Sequence, residues 1–336
     1  MPKFNVLVTR RLPIAFDQLN QIASVEIWPE RQPPPYKVLL EKIKAIDGLL
    51  CLLTDQIDRQ LLETGTSLKV ISQMAVGYDN VDIQTANARH LPVGHTPDVL
   101  TNATADFAWT LLMAAARRVV EADRFVRGGQ WQTWEPDLLL GPDITGATLG
   151  IVGLGRIGQA VARRAKGFEM RILYANKHQC DPEVEQSLNA EFVTFDRLLQ
   201  ESDFVTIHTP LTEDTYHLFS EQQFEQMKRS AILINTARGP IVDLDALYQA
   251  LKSHQIAAAA IDVTDPEPIP TQSLLLTLDN LIITPHIASA SRQAREKMAR
   301  MAIANLIAGL QGKRLPHCVN PEVYLISSER EDCSMS

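Results

Sequence analysis

The sequence contains no run of apolar residues long enough to cross a bilayer, and no apolar signal segment follows Met1-Pro2-Lys3-Phe4-Asn5. A membrane-bound or exported protein is therefore not expected, and the cytoplasm is the expected compartment. The four cysteines, Cys51, Cys180, Cys318 and Cys333, share no paired spacing. That excludes a disulfide framework and a cysteine-based zinc site, and no metal is expected. Positive charge is also scarce: 32 Lys and Arg stand against 40 Asp and Glu, for a net charge of -8. Such a balance argues against a nucleic-acid surface, although a single arginine inside a cleft can still receive a small anion. No repeat of solenoid period is present.

What is there is the material of an ordinary globular protein, 45% hydrophobic and 21% charged. A length of 336 residues exceeds one core, so two domains are expected. In the first hundred residues, strands are read at Asn5–Thr9, Val25–Trp28, Gly48–Leu53 and Leu68–Ser72. Helices are read between them at Ile14–Ile22, Tyr36–Ile46 and Ile57–Thr64. This alternation predicts a parallel sheet with right-handed crossovers, and Arg31-Gln32-Pro33-Pro34-Pro35 is a surface connector. The apolar stretch from Leu100 to Arg118 reads as a buried helix between domains. A second series follows, with strands at Thr148–Val152, Arg171–Tyr174, Phe204–His208, Ala231–Asn235, Ala257–Asp262 and Leu281–Thr284. A helix at Ile157–Lys166 lies within it, and a helix at Ser291–Leu310 returns the chain to the first domain. Residues 327–336 read as a polar, frayed tail.

One turn carries chemistry by its spacing. The β-rich run Thr148-Leu149-Gly150-Ile151-Val152 leads into Gly153-Leu154-Gly155-Arg156-Ile157-Gly158, and a helical pattern follows. In a strand–turn–helix of this kind the first glycine makes the tight turn and the second lets the backbone approach a pyrophosphate. The third allows close packing of helix on strand, and the helix N-terminus offers free N–H groups to the phosphates. A dinucleotide is expected here. At the end of the next strand, where an Asp would bond the ribose 2′-hydroxyl, the chain carries Asn176 followed by Lys177. A 2′-phosphate would be repelled by Asp and attracted by Lys, so NADP is favoured over NAD.

Three further segments sit at the C-terminal ends of strands, where open α/β sheets bind ligands. They are Ile234–Gly239 with Arg238, Ile261–Pro268 with Glu267, and Ile283–Ser289 with His286. Each alone has a bland explanation as surface, loop or structural residue. Their succession downstream of a dinucleotide turn does not. Trp131 and Trp134, in the polar stretch Gly128–Pro136, suggest an interface or a pocket wall rather than core.

With these segments in hand, the sequence resembles the D-isomer-specific 2-hydroxyacid dehydrogenases over nearly its whole length, and among them the glyoxylate/hydroxypyruvate reductases. Val6–Arg11, Gly48–Asp55, Gly94–Thr101, Val152–Ala160 and Asp265–Thr271 carry the likeness. The resemblance implies an α/β fold of two doubly wound parallel-sheet domains, with the active site in the cleft between them. One is a flavodoxin-like substrate/catalytic domain over residues 1–100 completed by 291–326; the other is a Rossmann dinucleotide-binding domain over 101–290. It implies hydride transfer from NAD(P)H to a small 2-oxo acid. The catalytic trio then falls on Arg238, pairing with the substrate carboxylate; Glu267, orienting the imidazole; and His286, the general acid. Substrate contacts are implied at Leu53, Val76, Gly77, Trp134 and Ser289, with main-chain amides at Val76 and Gly77 cradling the carboxylate. Cofactor contacts are implied at Thr104, Pro210, Thr215, Thr236, Asp262 and Ala288, beside Gly153, Gly155, Arg156, Ile157, Gly158, Asn176 and Lys177. A homodimer is implied, with Trp134 reaching the partner's site.

Asp106 stands where many members carry Glu, and Ala288 where many carry Gly; neither alters the reaction type. Glu267 argues against formate dehydrogenase, which uses Gln at that position, and Val76 argues against phosphite dehydrogenase, which uses Lys. The regulatory extension common in phosphoglycerate dehydrogenases is missing. A rival of another class is an NAD(H)-sensing corepressor-like binding module, which turnover of a 2-oxo acid would rule out.

Overall fold

The computed structural model describes residues 3–325, so the tail expected at 327–336 lies outside the described residues. Of these, the residues up to Leu100 and from Ser291 onward form one compact unit, and Thr101–Ala290 form another.

The first unit is built on five parallel strands: β1 (Phe4–Val8), β2 (Ala23–Ile27), β3 (Gly48–Cys51), β4 (Val70–Gln73) and β5 (Val93–Gly94), in the order β2-β1-β3-β4-β5. All four residues of β3 and all four of β4 are buried. β3 is accordingly without polar side chains other than its thiol, as a sheet covered on both faces requires, whereas β4 begins with Val70 and Ile71 and ends on the buried polar residues Ser72 and Gln73. The helices α1 (Asp17–Ile22), α2 (Tyr36–Lys42), α3 (Arg59–Thr64) and α4 (Ile83–Ala88) cross between them. Asp58 and Asp82 cap α3 and α4 by accepting from the amides of Leu61 and Thr85. Leu39, Ile43, Leu49, Leu61, Ile71 and Val93 belong to the core of one face. The C-terminal helix Arg292–Leu310 packs against β3, β4 and β5. It is held there by Ser72 Oγ donating to Ala302 O at 2.8 Å and Asn305 Nδ2 donating to His95 O at 2.9 Å.

The second unit carries seven parallel strands: β6 (Thr148–Val152), β7 (Arg171–Ala175), β8 (Ala190–Phe192), β9 (Phe204–Ile207), β10 (Ile232–Asn235), β11 (Ala258–Ile261) and β12 (Leu281–Ile283). Their order, β12-β11-β10-β9-β6-β7-β8, reverses direction between β6 and β9. That reversal is the switch point at which doubly wound sheets open a crevice for a ligand. The helices are α5 (Thr101–Ala116), α6 (Val119–Arg127), α7 (Arg156–Ala165), α8 (Pro182–Leu188), α9 (Phe195–Glu201), α10 (Glu221–Gln226) and α11 (Leu244–Lys252). α5 packs on α7 and on β10 and β11. Its Ala105, Ala108, Ala115 and Ala116 are small enough to let it settle closely, and its Trp109 stacks on Phe168 and donates from Nε1 to Val161 O at 3.1 Å. Among the described residues no helix is long and apolar enough to cross a membrane.

Element types agree with the sequence reading wherever apolar periodicity was long. α1, expected from Ile14, begins at Asp17, and the strand expected at Leu68–Ser72 runs from Val70 to Gln73. The six-residue α4, the two-residue β5 and the exposed α6 had too little pattern to be read. α6 follows α5 after a break at Arg118, whose φ of 51° ends the helix.

Candidate active site

At the end of β6 the chain turns sharply into α7. Gly153 has a φ of 97°, and a Cβ there would come within 2.7 Å of Thr209 N on the neighbouring β9 connection. The turn thus sits inside the switch point. A Cβ at Gly158 would lie 2.2 Å from Gly153 O, so helix and strand pack through that residue. At Gly155 a Cβ would meet no protein atom within 4 Å. The fold itself does not demand glycine there, whereas the approach of a pyrophosphate to the backbone does. The ten-residue α7 starts at Arg156 and directs its first amides into this space, with Arg156 exposed and Ile157 half-buried. These residues fit a dinucleotide.

Asn176 follows β7 directly. Its Oδ1 accepts from Leu154 N at 2.7 Å, which ties it to the glycine turn, and its Nδ2 lies 3.3 Å from Cys180 Sγ. Lys177 is exposed and its Nζ lies 3.2 Å from Asp214 Oδ2. After β9, Thr215 Oγ1 donates to Pro210 O at 2.7 Å, closing the turn that carries Asp214. His208, at the switch point, meets Thr206 Oγ1 through Nε2 at 2.8 Å. Loss of water pushes its imidazole down to about 3, so it is neutral. Thr104 is buried on α5, Ala288 is buried after β12, and Thr236 Oγ1 is buried without a hydrogen-bond partner among the described residues. An orphaned buried hydroxyl is costly unless a bound molecule completes it, which again fits a cofactor site.

The three strand-end loops that follow are braced by polar residues at the last strand positions. Asn235 closes β10 and clamps the next turn: its Oδ1 accepts from Ala237 N at 2.9 Å and its Nδ2 donates to Arg238 O at 3.0 Å. Arg238 donates from Nη1 to Ala237 O at 2.9 Å and is half-buried. Gly239 presses this turn against the β11 loop, since a Cβ there would sit 2.0 Å from Thr264 O. Asp262, just past β11, is fully buried and organises the β12 loop. Its Oδ1 accepts from Thr284 Oγ1 at 2.5 Å and Ile287 N at 2.9 Å, and its Oδ2 from Ala288 N at 2.7 Å. His286 N donates to Asp262 O at 2.8 Å, and His286 takes a φ of 55°. The result presents the imidazole to Glu267, with Nδ1 2.6 Å from Oε1 and side chains 21% and 34% exposed.

A carboxylate at that distance accepts a proton-bearing Nδ1 and points the opposite ring nitrogen, Nε2, away from Glu267. An imidazole held in this way can give or take a proton at Nε2. The structure therefore joins Glu267 to His286 directly and packs the Arg238 turn against the loop bearing Glu267. Asn235, Gly239 and Thr284 were not singled out from the sequence; a polar Asn closing an apolar strand was the available signal.

In the first unit, Leu53 lies in the connection after β3. Asp55 Oδ2 accepts from Leu52 N at 2.8 Å and from Thr9 Oγ1 at 2.5 Å, while Asn80 Nδ2 donates to Leu52 O at 3.1 Å and Asp55 O at 2.8 Å. The backbone on both sides of Leu53 is thereby fixed. Val76 and Gly77 follow β4. Ala75 O accepts from Thr96 N at 2.8 Å and Val76 O meets His95 Nδ1 at 3.0 Å. Carbonyl and amide of one peptide unit point in opposite directions, so the amides of Val76 and Gly77 are turned away from β5 together.

Trp131 and Trp134 are 59% and 77% exposed, and Ser289 is half-buried in the loop after His286.

Comparison with known proteins bears on this arrangement. Residues 109–288 match the family model described as D-isomer specific 2-hydroxyacid dehydrogenase, NAD binding domain. A glyoxylate reductase of Korarchaeum cryptofilum is 51% identical over 326 residues, covering 96% of this chain and 98% of its own. A crystal structure of a protein from Thermus thermophilus superposes with a TM-score of 0.88 at 46% identity, over 94% of this chain and 99% of that one. An NADPH-dependent glyoxylate/hydroxypyruvate reductase from Sinorhizobium meliloti, solved with NADP and malonate, superposes with a TM-score of 0.84 at 28% identity, over 95% and 98%.

Proposed function

The chain belongs to the D-isomer specific 2-hydroxyacid dehydrogenases, and on that premise we propose that it is a glyoxylate/hydroxypyruvate reductase that prefers NADPH. It is an NAD(P)-dependent oxidoreductase of small 2-oxo acids. The single observation that carries the mechanism is the 2.6 Å contact between His286 Nδ1 and Glu267 Oε1.

The nicotinamide, when bound, supplies a hydride to the carbonyl carbon of the 2-oxo acid. His286 gives the proton from Nε2 to the carbonyl oxygen, and takes it back in the reverse direction. Glu267 holds the ring in the one orientation that aims Nε2 outward. Arg238 pairs with the substrate carboxylate and polarises the carbonyl with its planar fork of donors. In the first unit, the amides of Val76 and Gly77 are assigned to the carboxylate and Leu53 to the substrate's carbon chain; Ser289 is a further contact. Asp262 acts through the β12 loop that it braces, beside the nicotinamide end.

The glycine turn, Thr104, Pro210, Thr215, Thr236 and Ala288 are assigned to the cofactor. The preference for NADPH rests on Asn176, which brings no carboxylate to repel a 2′-phosphate, and on the Lys177 ammonium. The unit containing Thr101–Ala290 is taken as the dinucleotide-binding domain and the other as the substrate domain. A homodimer is proposed, with Trp134 contributing to the partner's site. Its support is an apolar exposed stretch: α6 buries none of its residues, and Val119, Val126, Trp131, Trp134 and Leu140 are all exposed. The free thiols at Cys51, Cys180 and Cys318 suit action in the reducing cytoplasm.

Steady-state kinetics over a panel of 2-oxo acids with NADPH and NADH test the assignment. Turnover of glyoxylate and hydroxypyruvate, faster with NADPH, is expected. Oxidation of neither cofactor with either acid would falsify the reductase reading.

A further inference from the structure

The Lys177–Asp214 pair occupies an unusual place in the sheet. Lys177 stands just past β7 and Asp214 in the turn past β9, and the strand between those two is β6, whose end is the glycine turn. The two side chains therefore meet across the turn, from strands two spacings, or about 10 Å, apart. The Lys177 side chain is 78% exposed and pairs with Asp214. Asp214 is equally exposed but sits on a stiff support. In the turn Glu213–Thr215, Thr212 N donates to Thr215 Oγ1 at 2.8 Å, Thr215 Oγ1 donates to Pro210 O at 2.7 Å, and Tyr216 N donates to Thr212 O at 3.0 Å. The backbone that carries the carboxylate stays in place whichever partner the lysine takes.

Asn176 is meanwhile neutral and committed to Leu154 N. Charge discrimination at this rim falls on the lysine and on whatever competes for it. We infer that Asp214 is a specificity-determining residue for the cofactor: it occupies the Lys177 ammonium and holds a negative charge beside the position of a 2′-phosphate, which moderates a preference for NADPH that Lys177 alone would make stronger. The inference rests on the proposed reading of Lys177 as the 2′-phosphate contact. A 2′-phosphate carries about −1.5 to −2 charges, and a carboxylate sharing the same lysine lies roughly 6 Å from it. In water, with screening at moderate salt, removing that carboxylate is worth roughly two- to fourfold in affinity. NADH has no charge at this position and should respond far less.

The test is direct binding, by titration of nicotinamide fluorescence and by calorimetry with 2′-AMP and 5′-AMP as fragments, on full-length Asp214→Asn and Lys177→Ala proteins. The substitution at Asp214 is on the surface and leaves Lys177 and the capped turn in place. Tighter binding of NADPH and 2′-AMP by roughly two- to fourfold is expected, shrinking as salt is raised, with NADH and 5′-AMP shifting by less than about 1.5-fold. Equal tightening of both cofactors, or no change for NADPH, overturns the role of Asp214. If Lys177→Ala weakens NADPH selectively while Asp214→Asn changes nothing, only Asp214 is reassigned. If neither variant alters the NADPH-to-NADH ratio, the reading of Lys177 falls as well.

Discussion

Replacing Glu267 separates two things that its carboxylate does for His286: it accepts the Nδ1 proton, and it contributes a negative charge beside the ring. Glu267→Gln keeps an acceptor of the same shape and removes the charge. A hydrogen bond to a charged group contributes about 1.5–3 kcal/mol and a neutral one about 0.5–1.5 kcal/mol. Because the Glu267 side chain is 34% exposed, water screens part of the difference, and a loss of about 1 kcal/mol is expected. That is roughly a fivefold fall in kcat. Glu267→Ala removes the acceptor altogether and lets the ring turn, so the loss should rise to about a hundredfold, bounded by the roughly 10²–10⁴-fold of a positioned general acid. His286→Ala sets that bound directly. The assay is the steady-state rate of glyoxylate reduction, followed by the disappearance of nicotinamide absorbance, with NADPH affinity measured separately. If Glu267 works through His286, the double variant Glu267→Ala/His286→Ala will be no slower than His286→Ala alone. Multiplication of the two single losses would refute the pairing, and so would parallel losses in NADPH affinity.

Two other perturbations probe the same framework. Gly239→Ala would force a Cβ to within 2.0 Å of Thr264 O; we expect a loss of roughly 1–3 kcal/mol in a urea titration and a raised KM for the 2-oxo acid as Arg238 shifts, and an unchanged KM would detach the turn from substrate binding. His208, held neutral with its pKa down at about 3, binds fewer protons than the same residue in the unfolded chain, whose ordinary value is about 6.5. Its contribution is complete above that ordinary value and is lost as pH falls through the window toward 3, reaching about 2 kcal/mol at about pH 5. His208→Gln should therefore flatten the acid side of the stability profile, and an identical profile in the variant would count against burial as its cause.

The places where sequence reasoning succeeded and failed have physical causes that can be traced through single elements. β6 and α7 were legible because a five-residue apolar strand, a glycine turn and an amphipathic helix follow one another without interruption. β5, with two residues, and α4, with six, hold their place by packing and by the Asp82 cap, and carry no periodicity of their own. At the candidate site the chemistry-bearing types were visible: an arginine, a glutamate and a histidine in successive strand-end loops. Their supports were less so. Asn235 looked like the polar end of a strand and Asp262 was implied by resemblance as a cofactor contact; only in the folded unit does one clamp the arginine turn while the other gathers the amides of Ile287 and Ala288 under His286.

The amino-acid sequence by itself determined that a dinucleotide turn exists at Gly153–Gly158 and that Asn176 and Lys177 follow the next strand, because these depend on local spacing alone. Tertiary structure decided what Lys177 faces. Asp214 lies 37 positions further on, and only the strand order, with β6 between β7 and β9, carries it across the turn. The same holds for the histidine: residues 267 and 286 are separated by 19 positions, and the 2.6 Å contact between them is made by two loops that the parallel pairing of β11 with β12 brings side by side. Spacing along the chain specifies an element, whereas a contact between elements exists only once the sheet has set their neighbours.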